Sequence, residues 1–124
     1  MIKKTISYID LNGLPRTEDF YFHFSQAEIQ EMNLRQGGGL AETIQTVSKA
    51  SDPNTLITTF KKLILDAYGE KSADGKYFLK RDADGRPLSR MFEPTPAYSI
   101  LFTELSTNAE AAAEFVNGII PDVK

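Results

Sequence analysis

"IKKTISYIDLNGLPRTEDFYFHF", residues 2–24, decides the fold. Two runs rich in β-branched and aromatic residues flank Leu11-Asn12-Gly13, the pattern of a β-hairpin. Asn-Gly ordinarily marks a two-residue turn. Side-chain parity argues against one here. A two-residue loop sets Phe20, Phe22 and Phe24 on the face of Lys3, Thr5 and Ser7, whereas a three-residue loop sets them beside Ile2, Ile6 and Tyr8. A one-residue slip turns a whole strand over, so the apolar match predicts the longer loop, with Gly13 as a left-handed bulge. A lone hairpin is unstable in water, so helices must cover the phenylalanine face. Its two edges are left with unpaired backbone groups to which another chain could add.

The remaining chain supplies helices. "SQAEIQEM", residues 25–32, opens the first, with Ser25 and Glu28 in the spacing of a capping box. Gly37-Gly38-Gly39 breaks it. A second helix is expected from Leu40 to Ala50, with Leu40, Ile44 and Val47 along one side. A third starts with Asp52 as cap and Pro53 in its first turn. Its stripe is Leu56, Ile57, Phe60, Leu63, Ile64, Ala67 and Tyr68, and Gly69 is expected to end it as a left-handed cap. Residues 70–87 read as turns, with one short β-like piece at 77–80. "TPAYSILFTEL" is a fourth helix. "TNAEAAAEFVNGII" is a fifth, capped by Thr107 or Asn108 and ended by Gly118 and Pro121. The expected architecture is one α+β domain over residues 1–124, an N-terminal antiparallel β-hairpin packed on a bundle of about five helices.

Composition narrows the function. With 41% hydrophobic and 25% charged residues, the chain has the make-up of a soluble globule. The absence of Cys excludes disulfides and thiolate metal sites and fits a reducing compartment. A net charge of -3 argues against broad nucleic-acid binding. No apolar run reaches membrane-span length, and "MIKKTISYID" does not read as a signal peptide, so a cytoplasmic location is expected.

Each candidate for chemistry has a plainer explanation. The triple glycine lacks the Lys and Ser or Thr of a phosphate loop, since Leu40-Ala41-Glu42 follows it. "DADGRPLSRMFE", residues 82–93, places Asp82, Asp84 and Glu93 at calcium-loop positions, but Arg86 and Pro87 spoil its middle. Asp74-Gly75 and Asp82-Ala83-Asp84-Gly85 read as turns. His23, the only histidine, falls opposite the phenylalanine face and reads as a partly exposed strand residue rather than a zinc ligand or general base. Glu104, Glu110 and Glu114 read as solvated helix faces, as do Lys61, Lys62 and Asp66. No catalytic residue, metal or cofactor is expected, and a binding protein fits better than an enzyme.

Three segments together carry a resemblance: "YIDLNGLPRTEDFYFHFSQAEIQEM", "AYGEKSADGKYFLK" and "TPAYSILFTELSTNAEAAAEFVNGIIP". In this order, and with Tyr8, Asn12-Gly13, Tyr68-Gly69-Glu70-Lys71, Ala97-Tyr98 and Asn117-Gly118-Ile119-Ile120-Pro121, the chain resembles the tail assembly chaperones of long-tailed bacteriophages. The triple glycine and "FEPTP" depart from the family pattern. The resemblance implies a non-catalytic protein of the host cytoplasm that coats the tape-measure protein, keeps it soluble while the tail tube polymerises, and is absent from the mature virion. The partners it implies are the tape-measure protein and a C-terminally extended frameshift form of the chain. Self-contact, as a homo-oligomer, is expected at the hairpin edges and at Ala109, Ala112 and Ala113, whose small side chains permit close approach. The contrasting reading is a structural tail completion or connector subunit retained in the virion.

Overall fold

The computed structural model describes residues 1–36 and 53–119. Along the chain run β1 (Ile2–Ile9), β2 (Pro15–Phe22), α1 (Gln26–Gln36), α2 (Pro53–Ala67), β3 (Tyr68–Lys71), β4 (Phe78–Leu79), α3 (Ser89–Phe92), α4 (Pro96–Thr107) and α5 (Ala109–Ile119). The triple glycine, the expected Leu40–Ala50 helix, the Asp52 cap and Pro121 lie outside the described residues.

The hairpin has the loop that parity demands. Ile2 pairs with Phe22, Ile6 with Glu18 and Ile9 with Pro15, which places Phe20 and Phe22 on the face of Ile2 and Ile6. Gly13 has φ 81°, and its N–H donates to the Asp10 carbonyl at 2.9 Å. The Asp10 carboxylate accepts from the Asn12 and Leu14 N–H groups at 2.9 Å each and from Arg16 Nε at 2.6 Å. The capping box is also present. Ser25 N–H donates to Glu28 Oε1 at 2.9 Å, and Glu28 N–H to Ser25 Oγ at 3.1 Å.

The hairpin is half of a four-stranded sheet in the order β1-β2-β3-β4. This corrects the reading of Gly69. Helix α2 ends at Ala67 and Tyr68 begins β3, where Gly69 pairs with Tyr21 and has no positive φ. The helix needs no left-handed cap because its last carbonyls are taken from outside. Ala67 O accepts the His23 N–H at 2.8 Å, and Asp66 O accepts Lys80 Nζ at 2.7 Å. Gly69 is glycine for lack of room: a Cβ there would stand 2.5 Å from both the Leu79 carbonyl oxygen and Phe78 Cε2. Gly75 and Gly85 do adopt the left-handed conformation, at φ 77° and 81°, in the Asp74 and Asp82 turns.

One core joins sheet and helices. Phe22, Ile64, Leu101, Phe115 and Ile119 are its largest fully buried side chains. Phe92, on the four-residue α3, is its aromatic centre. Its ring stacks on Tyr68 at 4.2 Å and meets Phe20, Phe22 and Tyr98 at 5.3, 5.8 and 5.6 Å. On α2 the stripe buries Phe60, Leu63, Ile64 and Ala67, while Ile57 remains 47% exposed. Helix α4 starts at Pro96, with Thr95 Oγ1 accepting the Tyr98 N–H at 3.2 Å, so "FEPTP" supplies a cap and an N-terminal proline. Asn108 Oδ1 caps α5 through the Ala111 N–H at 3.1 Å. Gly118 is the penultimate residue of α5, where a Cβ would meet Ile2 Cδ1 at 3.0 Å, so it also admits β1.

Candidate protein-contact surfaces

The alanines of α5 divide between two faces. Ala112 is half-buried and packs on the core, whereas Ala109 and Ala113 are exposed and, four residues apart, share an outward face. The C-terminal half of the helix is fixed to the core. Phe115 and Ile119 are buried, and the Ile119 carbonyl accepts the Phe24 N–H at 2.9 Å.

The hairpin edges also divide. Part of the β2 edge is covered, since Tyr21 and Phe22 pair with Gly69 and Tyr68. The β1 edge has no strand beside it among the described residues. In an antiparallel pair, alternate residues direct their backbone groups toward the partner. The Asp10 N–H donates to the Leu14 carbonyl at 2.8 Å, which sets the phase. Ile2, Lys4, Ile6 and Tyr8 therefore bond to β2, and Lys3, Thr5, Ser7 and Ile9 turn their N–H and C=O groups to the outer edge.

The hairpin tip is a surface that the sequence reading missed. Ile9, Leu11 and Leu14 are 60%, 87% and 56% exposed, on a loop held rigid by the Asp10 carboxylate. The hydrogen bond from Arg16, followed by those from Leu14 and Asn12, holds that carboxyl below its ordinary range. The signal was two leucines in a turn, where polar residues are usual.

Most of the polar candidates are engaged in structure. Asp82 Oδ1 accepts from the Asp84 and Arg86 N–H groups at 2.9 Å each, and Glu93 pairs with Lys61 at 2.6 Å, so the calcium-like residues form a turn and a salt bridge. Among the described residues, no group of three or more His, Asp and Glu is arranged to hold a metal. Glu104 meets Lys4 at 3.4 Å, Glu110 and Glu114 are exposed, and Lys62 pairs with Asp66 at 2.6 Å on the outer side of α2. His23 is half-buried against Phe78, with ring centroids 5.4 Å apart. Burial lowers its pKa, helped by the positive charges of the N-terminus and Lys80.

Lys80 ties three elements together. Its Nζ lies 2.6 Å from Glu28 Oε2 on α1, 2.7 Å from the Asp66 carbonyl on α2 and 4.3 Å from the centre of the Phe24 ring. Burial lowers the Lys80 pKa despite Glu28. Burial alone would raise Glu28, but the Lys80 and Ser25 hydrogen bonds prevail and lower it. These arrangements suit rigid display of apolar and backbone contacts.

A family model described as phage tail assembly chaperone matches residues 1–123. No curated protein and no solved structure matches the chain. The family match spans the hairpin, the sheet and all the described helices, so the chain belongs to the phage tail assembly chaperones.

Proposed function

We propose that the chain acts without catalysis, binding the tape-measure protein and keeping it soluble while the tail tube polymerises. The observation that carries this is the family match over residues 1–123. Supporting it, the hairpin tip offers Ile9, Leu11 and Leu14 to an apolar partner, and Asp82 and Glu93 of the calcium-like stretch are committed to a turn and a salt bridge. Tape-measure segments awaiting the tube need cover for their apolar faces. In this reading the chain works in the host bacterial cytoplasm, alongside a C-terminally extended frameshift form of itself, associates with further copies, and leaves before the virion is complete. No helix among the described residues is long and apolar enough to cross a membrane.

Co-expression with the tape-measure protein tests this directly. The expected result is a soluble complex that elutes together on sizing and survives moderate salt, because apolar contacts are little screened. A tape measure equally insoluble with and without the chain and its extended form, and no complex on sizing, would overturn the proposal. Recovery of the chain in purified virions would favour a completion or connector subunit.

A further inference from the structure

We infer that β1 pairs antiparallel with β1 of a second copy, about a two-fold axis at Ile6, joining two four-stranded sheets into one. This deepens the self-association in the proposed function by naming its surface and register. The first ground is the unpaired edge. Lys3, Thr5, Ser7 and Ile9 direct their backbone groups outward, and no described backbone group outside the hairpin pairs with them. β1 is eight residues long and contains no proline, so it lacks a common device by which edge strands repel additional strands.

The second ground is that the edge is complementary to itself. An axis at Ile6 sets Thr5 opposite Ser7 of the second copy and Lys3 opposite Ile9. On this face hydroxyls already bridge β1 and β2, with Thr5 Oγ1 2.7 Å from Asp19 Oδ1 and Ser7 Oγ 3.0 Å from Thr17 Oγ1. A hydroxyl offers one donor and two acceptor positions, so Thr5 and Ser7 can extend this ladder across the axis. The exposed apolar residues stand near the two ends of the strand: Met1 is 50% exposed, Ile9 60% and Leu11 87%. The same axis brings Met1 of each copy to the turn that carries Leu11 of the other. With the axis at Thr5, Met1 would face Ile9 in place of Leu11. With the axis at Ser7, Met1 would face Gly13. The charges select the same direction. Lys3 and Lys4 are the charged residues of β1 and sit at one end, so antiparallel pairing separates them from their copies and in-register parallel pairing sets like charges side by side. Isologous two-fold contacts are also the commonest form of self-association.

The test uses the isolated chain, so it can fail or succeed independently of tape-measure binding. Sedimentation velocity from micromolar to near-millimolar concentration should show a dimer. Thr5→Pro should halve the sedimenting mass with unchanged far-UV circular dichroism, because the Thr5 N–H points away from β2. Thr5→Val, which keeps that N–H, should remain dimeric. The chain has no Cys, so introduced thiols report the register cleanly. Thr5→Cys chains mixed with Ser7→Cys chains should cross-link to each other several-fold more than either does with itself. A monomer at every concentration, a dimer that persists in Thr5→Pro, or equal cross-linking in all three mixtures would overturn the inference. So would β1 amides that become protected from exchange only when tape-measure protein is added, since the edge would then belong to that partner.

Discussion

Gly69 lies directly against Phe78, with no space for a side chain between them: a Cβ on Gly69 would stand 2.5 Å from Phe78 Cε2 and 2.5 Å from the neighbouring Leu79 carbonyl oxygen. Backbone oxygen cannot swing aside as a side-chain tip can, so Gly69→Ala must part β3 from β4. The expected cost is about 2 kcal/mol, the scale of overpacking. Gly75→Ala meets nothing within 4 Å but must hold a φ of 77°, so its cost, about 1 kcal/mol, is conformational. Urea denaturation of both variants checks the order. A Gly69→Ala variant as stable as the parent would contradict the close approach.

The two glycines show what the sequence revealed and what it hid. Gly13, Gly75 and Gly85 each follow Asn or Asp, and local turn chemistry suffices to predict their left-handed conformation. Gly69 follows Tyr at the end of an apolar stripe, which equally suits a helix cap. The atoms that decide its role belong to residues 78 and 79, so the information was not local. The hairpin register was legible because parity ties every residue of β2 to one choice of loop. The four residues of α3 are too few for a helical period to show, so Phe92, at the centre of the aromatic core, went unassigned. Of the candidate surface, the sequence named Ala109, Ala112 and Ala113 and both hairpin edges together; that Ala112 turns to the core and that β3 covers part of the β2 edge depend on packing and pairing far along the chain. The hairpin tip was not, because its exposure depends on how Asp10 closes the loop.

Lys80 should be the most costly surface-connected lysine to lose. Its ammonium bridges α1 and the end of α2 from the strand side, and it is only 21% exposed. Lys80→Met keeps the aliphatic stem but leaves the Asp66 carbonyl and Glu28 Oε2 without their partner, while Glu28 Oε1 keeps the Ser25 N–H. The expected loss is about 1–2 kcal/mol, less than for a fully buried pair because Glu28 reaches solvent. A double-mutant cycle with Glu28→Gln measures the coupling, and independent effects of the two substitutions would contradict it.

Calcium should neither bind nor stabilise the chain. Asp82 Oδ1 is held by two backbone N–H groups and Glu93 by Lys61. Titration calorimetry should show no stoichiometric heat with calcium, and Tm should be the same in calcium and in chelator. Asp82→Ala should instead loosen the turn, destabilising the chain by about 1 kcal/mol.

His23 should give the chain a mild sensitivity to acid. Its Nδ1 is buried with no hydrogen-bond partner among the described residues. Around the ring, burial, the N-terminal ammonium and Lys80 oppose protonation, and only Glu28 favours it. The folded pKa therefore lies below the ordinary 6.5. Between the two values the unfolded chain binds the proton more readily, so stability rises with pH across that interval. The contribution is fully present above the ordinary value and is lost as the pH falls through it toward the folded pKa. Down to about pH 5 the carboxylates remain largely ionised, so this decline belongs to the histidine. His23→Phe keeps a ring against Phe78 and removes the titration. Thermal melts between pH 7 and about 5 should show Tm falling in the parent and staying nearly level in His23→Phe. Parallel curves for the two proteins would mean that His23 takes up its proton as readily in the fold as in the unfolded chain.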